Sequence, residues 1–269
     1  IMAVWNMVCI LLEKRRFLRL PDGESRDIMG KTRIAFFEIN GREAGRMDTE
    51  MNLFDIIGPV MIGPSSSHTA GAARIGRVAR LLLGEDVAEA RVGLCGSFAR
   101  TWRGHGTDRA IVGGLMGVAA DDARLRDSLD EAKRRGLRVT FEEIQLKDAH
   151  PNTARLRLKG VTGRKIEVIG ASVGGGSIEI REIDGLSLRV TAQKHTLIIA
   201  HRDTPGIIAR VSSLLAGAPV NIATMQVARS AAGGKAMTTM ELDELPPDEI
   251  VAALKVMKGV ESVTLLRAD

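Results

Sequence analysis

The final stretch of this sequence switches between strand-like and helix-like hydrophobic rhythm in an order that few folds satisfy. Thr196-Leu197-Ile198-Ile199-Ala200 reads as a strand. Asp203-Thr204-Pro205-Gly206 is a turn with a helix-start signal, and Ile207, Ile208, Val211 and Leu214 share one helical face. Residues 221–228 read as a strand, Ala231-Ala232-Gly233-Gly234 turns the chain, and residues 236–242 return. Pro246-Pro247 opens a helix through Met257, and residues 260–266 make a last strand. The order is βαββαβ, a ferredoxin-like arrangement: an antiparallel four-stranded sheet with both helices on one face. Residues 191–269 are expected to form this domain.

Upstream, residues 51–190 predict an α/β domain built on a mixed sheet with flanking helices. Gly58-Pro59-Val60-Met61-Ile62-Gly63-Pro64 is a breaker-rich loop. A helix follows, with cap hydroxyls at Ser65, Ser66 and Ser67, apolar residues at Ala72, Ile75, Ala79 and Leu82, and a stop at Gly84. Strands are expected at 90–94, 137–144, 154–158, 165–169 and 178–180, and helices at 110–120 and 127–135. Residues 95–108 read as a glycine-rich loop, and Gly174-Gly175-Gly176 as a flexible turn. Residues 1–50 differ in character. An apolar stretch there precedes the basic cluster Lys14, Arg15, Arg16 and Arg19, the reverse of a secretory signal. They are expected to be sequence upstream of a start at Met51, or an extension of low order.

Composition narrows the function classes. Aromatic residues make up 3% with no Tyr, and the net charge of +5 is a small excess of 38 basic over 33 acidic side chains. Stacking platforms for nucleic acid are scarce, so no nucleic acid partner is expected. No apolar run approaches the ~20 residues of a membrane span, so no membrane association is expected. With only Cys9 and Cys95, a disulfide framework is not expected, and a reducing cytoplasm fits. Two cysteines also fall short of the thiolates an iron–sulfur cluster usually needs. Metal ligands are expected from none of this chain's residues.

Two runs could carry chemistry. In Gly63-Pro64-Ser65-Ser66-Ser67-His68-Thr69-Ala70-Gly71, hydroxyls and an imidazole crowd a helix start, whose free N–H groups favour a carboxylate. His68 can exchange a proton near neutral pH. By composition alone the same run reads as plain capping with a solvated histidine. In Gly96-Ser97-Phe98-Ala99-Arg100-Thr101-Trp102-Arg103-Gly104-His105-Gly106-Thr107-Asp108, glycines beside His105 allow close approach of a ligand. There Asp108 could orient an imidazole, and Ser97, Arg100 or Arg103 could meet a carboxylate. A surface loop would look the same. His150-Pro151-Asn152-Thr153 and Gly174-Gly175-Gly176-Ser177 are weaker candidates; physics alone favours an ordinary turn for the first, and the second reads equally as a β-turn.

Phe54-Asp55-Ile56-Ile57-Gly58-Pro59, the 63–71 run, Gly96-Ser97 and Gly104-His105-Gly106-Thr107-Asp108 together resemble the β part of iron–sulfur L-serine dehydratases. The resemblance spans about residues 51–269, and the C-terminal part resembles an ACT domain. It implies conversion of L-serine to pyruvate and ammonia without pyridoxal phosphate. It implies a [4Fe–4S] cluster liganded by a separate α subunit, whose open iron acts as Lewis acid on the substrate hydroxyl. A base removes the α-proton, hydroxide leaves, and the enamine tautomerises and hydrolyses. The resemblance carries Ser65, Ser66, Ser67, His68 and Thr69 into the catalytic cleft, with His105 as second choice for proton transfer. It carries Ser97, Gly104, Gly106, Thr107, Asp108 and Asn152 to the substrate. Arg100, Trp102 and Arg103 depart from the smaller, lysine-bearing pattern expected there. In the ACT part it assigns effector contacts to Asp203, Thr204, Pro205, Gly206, Ile207 and Asn221, with L-serine as the ligand and β–β association through paired ACT sheets.

A rival reading makes the chain a non-catalytic serine-binding regulatory module, as a similar domain next to an ACT domain does in some 3-phosphoglycerate dehydrogenases. A free-standing amino-acid sensor is a third.

Overall fold

The computed structural model describes Gly63 and residues 65–268, all within one compact unit, Glu50–Asp269. The expectations for residues 1–50 and for the 54–59 run lie outside the described residues.

A single π-helical turn, Ser66–Gly71, leads into α1, Ala72–Leu83. Helix α1 buries Ala72, Ile75, Ala79 and Leu82 along one face, the stripe that the sequence spacing predicts. Strand β1 (Val87–Leu94) follows, then helices α2 (Gly96–His105) and α3 (Thr107–Leu115). A 3₁₀ turn, Ala123–Asp127, precedes α4 (Ser128–Arg134). Five strands complete the sheet: β2 (Arg138–Glu143), β3 (Thr153–Gly160), β4 (Lys165–Gly174), β5 (Ser177–Ile183) and β6 (Leu186–Val190). The six strands run in the order β2-β1-β3-β4-β5-β6. Only β1 and β2 are parallel, so the sheet is mixed.

Strand β3 shows how the sequence aims this sheet. Ala154, Leu156 and Leu158 are buried while Arg157 and Lys159 are exposed, the two-residue alternation of a sheet with one wet face. The buried face packs on α1, and α1 packs on α3.

The last four strands are β7 (His195–Arg202), β8 (Ile222–Arg229), β9 (Lys235–Leu242) and β10 (Val260–Leu266), with helices α5 (Ile207–Ala216) and α6 (Asp248–Lys255). Their order β10-β7-β9-β8 is that of the βαββαβ fold. Leu197, Ile199, Met240 and Leu242 meet Val211, Leu215, Val251 and Leu254 of the two helices in a separate core. The alternate residues Ile198, Met237 and Leu266 join the core of the six-stranded unit. Strand β7 is therefore buried on both faces, which explains its unbroken apolar run. The Gln226 side-chain oxygen also accepts the Arg189 N–H at 3.0 Å, tying β8 to β6.

The structure corrects three readings. Residues 95–108 are not a loop: they are α2, Gly106 and the start of α3. The first free N–H groups of α2 are satisfied from far along the chain, by the Pro151 carbonyl, at 2.7 Å from Ser97 and 3.3 Å from Phe98. No local capping pattern announces this. Gly106, with φ 71°, closes α2 and starts α3, a left-handed position that suits glycine. The helix expected at 110–120 is shorter and earlier, Thr107–Leu115. Strand β6 has no counterpart in the sequence reading, although Leu186-Ser187-Leu188-Arg189-Val190 alternates apolar and polar; at five residues it is short.

Candidate active site

Ser65 sets up the site. In extended backbone, it caps the π-turn, its hydroxyl accepting the His68 backbone N–H at 3.2 Å. A π-turn is rare and often marks a functional position. Here it aims the His68 ring between two hydroxyls, Nδ1 at 3.3 Å from Ser65 Oγ and Nε2 at 3.2 Å from Ser97 Oγ. Phe98 and His105 stand edge-on to the His68 ring at 5.2 and 4.8 Å. His68 is 9% exposed, so burial, and after it the facing His105, hold its pKa below the ordinary imidazole value, partly offset by the Ser97 backbone. Neutral imidazole is the form favoured at pH 7, with one ring nitrogen free to accept.

Thr69 is buried, and its hydroxyl donates to the His105 carbonyl at 3.5 Å. Ser66, Ser67, Ser97 and His105 are half-buried and form the open side. Four buried polar atoms nearby have no hydrogen-bond partner among the described residues: His105 Nδ1, Thr107 Oγ1, Asn152 Oδ1 and Ser172 Oγ. Thr107 starts α3, which packs on the π-turn. The Ser172 side chain lies against Gly71, and the Ser172 N–H donates to the Asn152 carbonyl at 3.0 Å. Orphaned buried groups are rare, and these, on elements that pack on the π-turn or pair with them, suit a polar ligand or partner.

The sequence reading named all of these but Ser172. Its one available signal was its place just before the Gly174-Gly175-Gly176 turn, which drew attention to backbone N–H groups instead. That turn is held by Arg74, whose Nη1 donates to the Gly176 carbonyl at 3.2 Å.

Other assigned positions are placed differently. Asp108 orients no imidazole; its carboxylate accepts the Arg109 N–H at 2.8 Å. Burial raises its pKa, and the neighbouring Arg109 backbone and guanidinium counter this. Positions Gly104 and Gly106 face open space. Arg100 is exposed, while Arg103 lies 4.7 Å over the Trp102 ring, which stacks on Phe141 at 4.9 Å. Trp102 and Arg103 thus build the outer flank of α2.

In the four-stranded unit, Asp203 is already engaged. Its carboxylate accepts from Arg229 Nη1 at 2.8 Å and from the Gly233 N–H at 3.1 Å. The Arg229 bond, then the Gly233 N–H, lower its pKa. Thr204, Pro205 and Gly206 are exposed, and Ile207 is buried. Asn221 sits at the far end of the sheet, beside the Ile222–Leu242–His195 row, whereas Asp203 follows the Arg202–Lys235 row. Seven residue steps separate the rows, about 23 Å. Within one chain Asn221 and the 203–207 loop do not meet. Asn221 instead donates to Asp243 at 2.8 Å.

Substituting Ser65→Ala should cost about 1 kcal/mol of folding stability, because it removes both the cap and the Nδ1 partner of His68. Urea unfolding of the full chain measures this.

Comparison with known proteins adds an independent finding. The serine dehydratase beta chain family model matches residues 52–182, and the ACT domain model matches residues 195–259. The chain is 43% identical over 213 residues to a probable L-serine dehydratase beta chain of Bacillus subtilis, covering 79% of this chain and 96% of that protein. It is 36% identical to the L-serine dehydratase beta chain of Peptoniphilus asaccharolyticus, over 80% and 96%. It is 32% identical to a D-3-phosphoglycerate dehydrogenase of Synechocystis, over 56% of this chain but 28% of that protein.

Proposed function

Since this chain belongs to the serine dehydratase beta chain family, we propose that it is the β subunit of an L-serine dehydratase, forming pyruvate and ammonia from L-serine together with a separate α subunit. The observation that carries this reading is the buried His68 imidazole with a serine hydroxyl on each ring nitrogen and the His105 ring against it.

His68 is the proton-transfer group in this proposal. With Nδ1–H donating to Ser65, Nε2 is the acceptor towards Ser97, and a substrate proton can enter there. Thr107 and Asn152 supply hydrogen bonds that fix the substrate, and their unpaired atoms suit that role. His105, 4.8 Å from His68, is the second titratable group within reach. Ser66, Ser67 and Thr69 line the cleft, while Gly104 and Gly106 leave its rim open.

The described residues do not fit a cluster site. Cys95 is the one cysteine among them, and no group of three or more His, Cys, Asp or Glu among them could hold a metal ion. The [4Fe–4S] cluster that the resemblance implies is proposed to be held by thiolates of the α subunit, where it would supply a Lewis acid for the substrate hydroxyl. Pyridoxal phosphate has no part in this scheme.

Residues 51–190 form the catalytic part and 191–269 the ACT part in this reading. Serine is proposed to bind the ACT part at Asp203, Thr204, Pro205, Gly206 and Ile207. In this proposal Asn221 comes from a second β chain, since within one chain it lies about 23 Å from the loop by strand rise. Association of β chains through their ACT sheets provides it. The amino group of serine would compete with Arg229 for the Asp203 carboxylate.

The second reading, a serine-binding module without chemistry, is favoured only by the likeness to D-3-phosphoglycerate dehydrogenases. One experiment separates the two: anaerobic co-expression with an α subunit, iron reconstitution and a pyruvate assay with L-serine. Serine-dependent pyruvate is the expected result. An assembled, iron-loaded complex that binds serine and releases no pyruvate would leave the regulatory module as the better account.

A further inference from the structure

Ser172 lies on β4, opposite Ile178 of β5, and is fully buried. It sits where the last residue of the π-turn meets the sheet. A Cβ built on Gly71 would overlap the Ser172 Oγ and stand 2.7 Å from its Cβ, while the Ser172 Cα is 3.6 Å away. The Gly71 Cα therefore rests directly on the serine side chain, a close approach that glycine permits. That hydroxyl has no hydrogen-bond partner among the described residues, so it acts on Gly71 through its bulk.

The other side of Ser172 leads to Ser97. The β3–β4 ladder reaches the Thr153–Ala171 pair, and the Ser172 N–H extends it by donating to the Asn152 carbonyl at 3.0 Å. The adjacent Pro151 carbonyl accepts the Ser97 N–H at 2.7 Å, and the Thr153 carbonyl accepts the Cys95 N–H at 3.0 Å. The start of α2 is pressed against this segment: a Cβ at Gly96 would stand 2.8 Å from the Pro151 oxygen. Ser97 Oγ then faces His68 Nε2 at 3.2 Å, and the π-turn leads from His68 back to Gly71. The contacts close a circuit through Gly71, Ser172, Asn152, Pro151, Ser97 and His68. Its joints at Asn152, Pro151 and Ser97 are hydrogen bonds, whereas the joint at Gly71 is set by the size of one side chain. Arg74 of α1 donates to the Gly176 carbonyl at 3.2 Å and ties the β4–β5 hairpin to that helix.

We propose that Ser172 is a positioning residue: it seats the π-turn on one side and the 151–152 segment on the other, and so sets the separation of His68 Nε2 and Ser97 Oγ. The proposal rests on the reading of His68 as the proton-transfer group. Packed interiors transmit a displacement rather than absorb it, so a methyl-sized intrusion at Gly71 moves the imidazole. The His68–Ser97 bond, at 3.2 Å, is already long and weakens with little further movement.

A size swap tests this. Gly71→Ala adds a methyl to the joint, Ser172→Gly removes the atoms that the methyl would meet, and the double variant does both. In the assembled enzyme Gly71→Ala should lower kcat per folded molecule by about tenfold or more, with KM for serine changed less than about threefold, because a small misplacement of a reacting group is costly in orientation. Ser172→Gly, which introduces no clash and carries the test alone if Gly71→Ala does not fold, should lower kcat in the same direction. The double variant should recover to within about threefold of wild type, as residues in contact are non-additive. Histidine ¹⁵N NMR on the full chain without α gives a second readout. The His68 titration midpoint, held low by burial, should move towards the ordinary imidazole value in each single variant and return in the double. Single variants that lose stability but keep both readouts per folded molecule would overturn the proposal, and so would a double variant no better than Gly71→Ala. A wild-type complex that forms no pyruvate would refute the dehydratase reading instead, and the NMR comparison would still decide the role of Ser172.

Discussion

His68→Ala should lower pyruvate formation by the assembled enzyme by about 10²–10⁴-fold, the usual contribution of a positioned acid–base group. The imidazole has a hydrogen-bonding partner at each nitrogen, and its environment favours the neutral form. A purely structural histidine would predict a different pattern. Its loss would cost stability and leave turnover per folded molecule intact. The pH profile provides a second readout. Because burial lowers the His68 pKa below 6.5, the acid limb of kcat/KM should fall below the ordinary imidazole range. Ser97→Ala, which removes the Nε2 partner, should shift that limb and cost about tenfold, the worth of one hydrogen bond of ~1.4 kcal/mol. The same lowered pKa has a stability consequence. Below pH 6.5 the unfolded chain binds a proton at His68 that the folded chain resists, so the unfolded state gains. Stability contributed by the neutral ring is complete above 6.5 and is lost as pH falls through the folded value. His68→Asn should flatten that portion of a stability-against-pH curve. Full activity of a folded His68→Ala complex would end the assignment.

The fold was largely legible because its long elements keep a regular period. The βαββαβ order came through in β7, α5, β9 and α6, where apolar spacing and Pro or Gly punctuation agree. What escaped was set by tertiary contact. Helix α2 is capped by the Pro151 carbonyl, more than fifty residues away, so its glycines looked like loop residues. The face of β7–β10 carrying Ile198, Met237 and Leu266 could not be assigned a cover, because one alternating strand pattern serves two cores. In the site, the residue types were visible as a run, but their mutual geometry was not. The π-turn turns His68 towards Ser97, 29 positions on. Ser172 reaches the site only through strand pairing that brings β4 beneath Gly71. Conversely, Asp203 and Asn221 were joined in one site by the ACT resemblance, and strand register separates them within one chain.

Gly114→Ala should be the most damaging small substitution in the described structure, destabilising the chain by about 3 kcal/mol. Helices α1 and α3 cross at two glycines. A Cβ at Gly114 would overlap the Ala73 carbonyl oxygen and sit 2.8 Å from the Arg77 backbone nitrogen. At Gly76 a Cβ would overlap the Ile111 carbonyl oxygen and lie 3.1 Å from the Leu115 nitrogen. These obstacles are backbone atoms inside helices, so no rotamer change relieves them. The helices must separate, which opens the contact among Ile75, Ala79, Ile111 and Leu115, all of them buried. For a unit of this size, 3 kcal/mol corresponds to a Tm lowered by roughly 6–12 °C. Gly104→Ala is the matched control: it lies within α2, with no atom within 4 Å of the added methyl, and should raise stability by about 0.5–1 kcal/mol through helix propensity. The π-turn is continuous with α1 and packs on α3, so a separation of the two helices also moves His68 away from Ser97. Calorimetric unfolding of the three proteins decides the matter: equal melting temperatures for Gly114→Ala and Gly104→Ala would show that α1 and α3 are not in the close contact described.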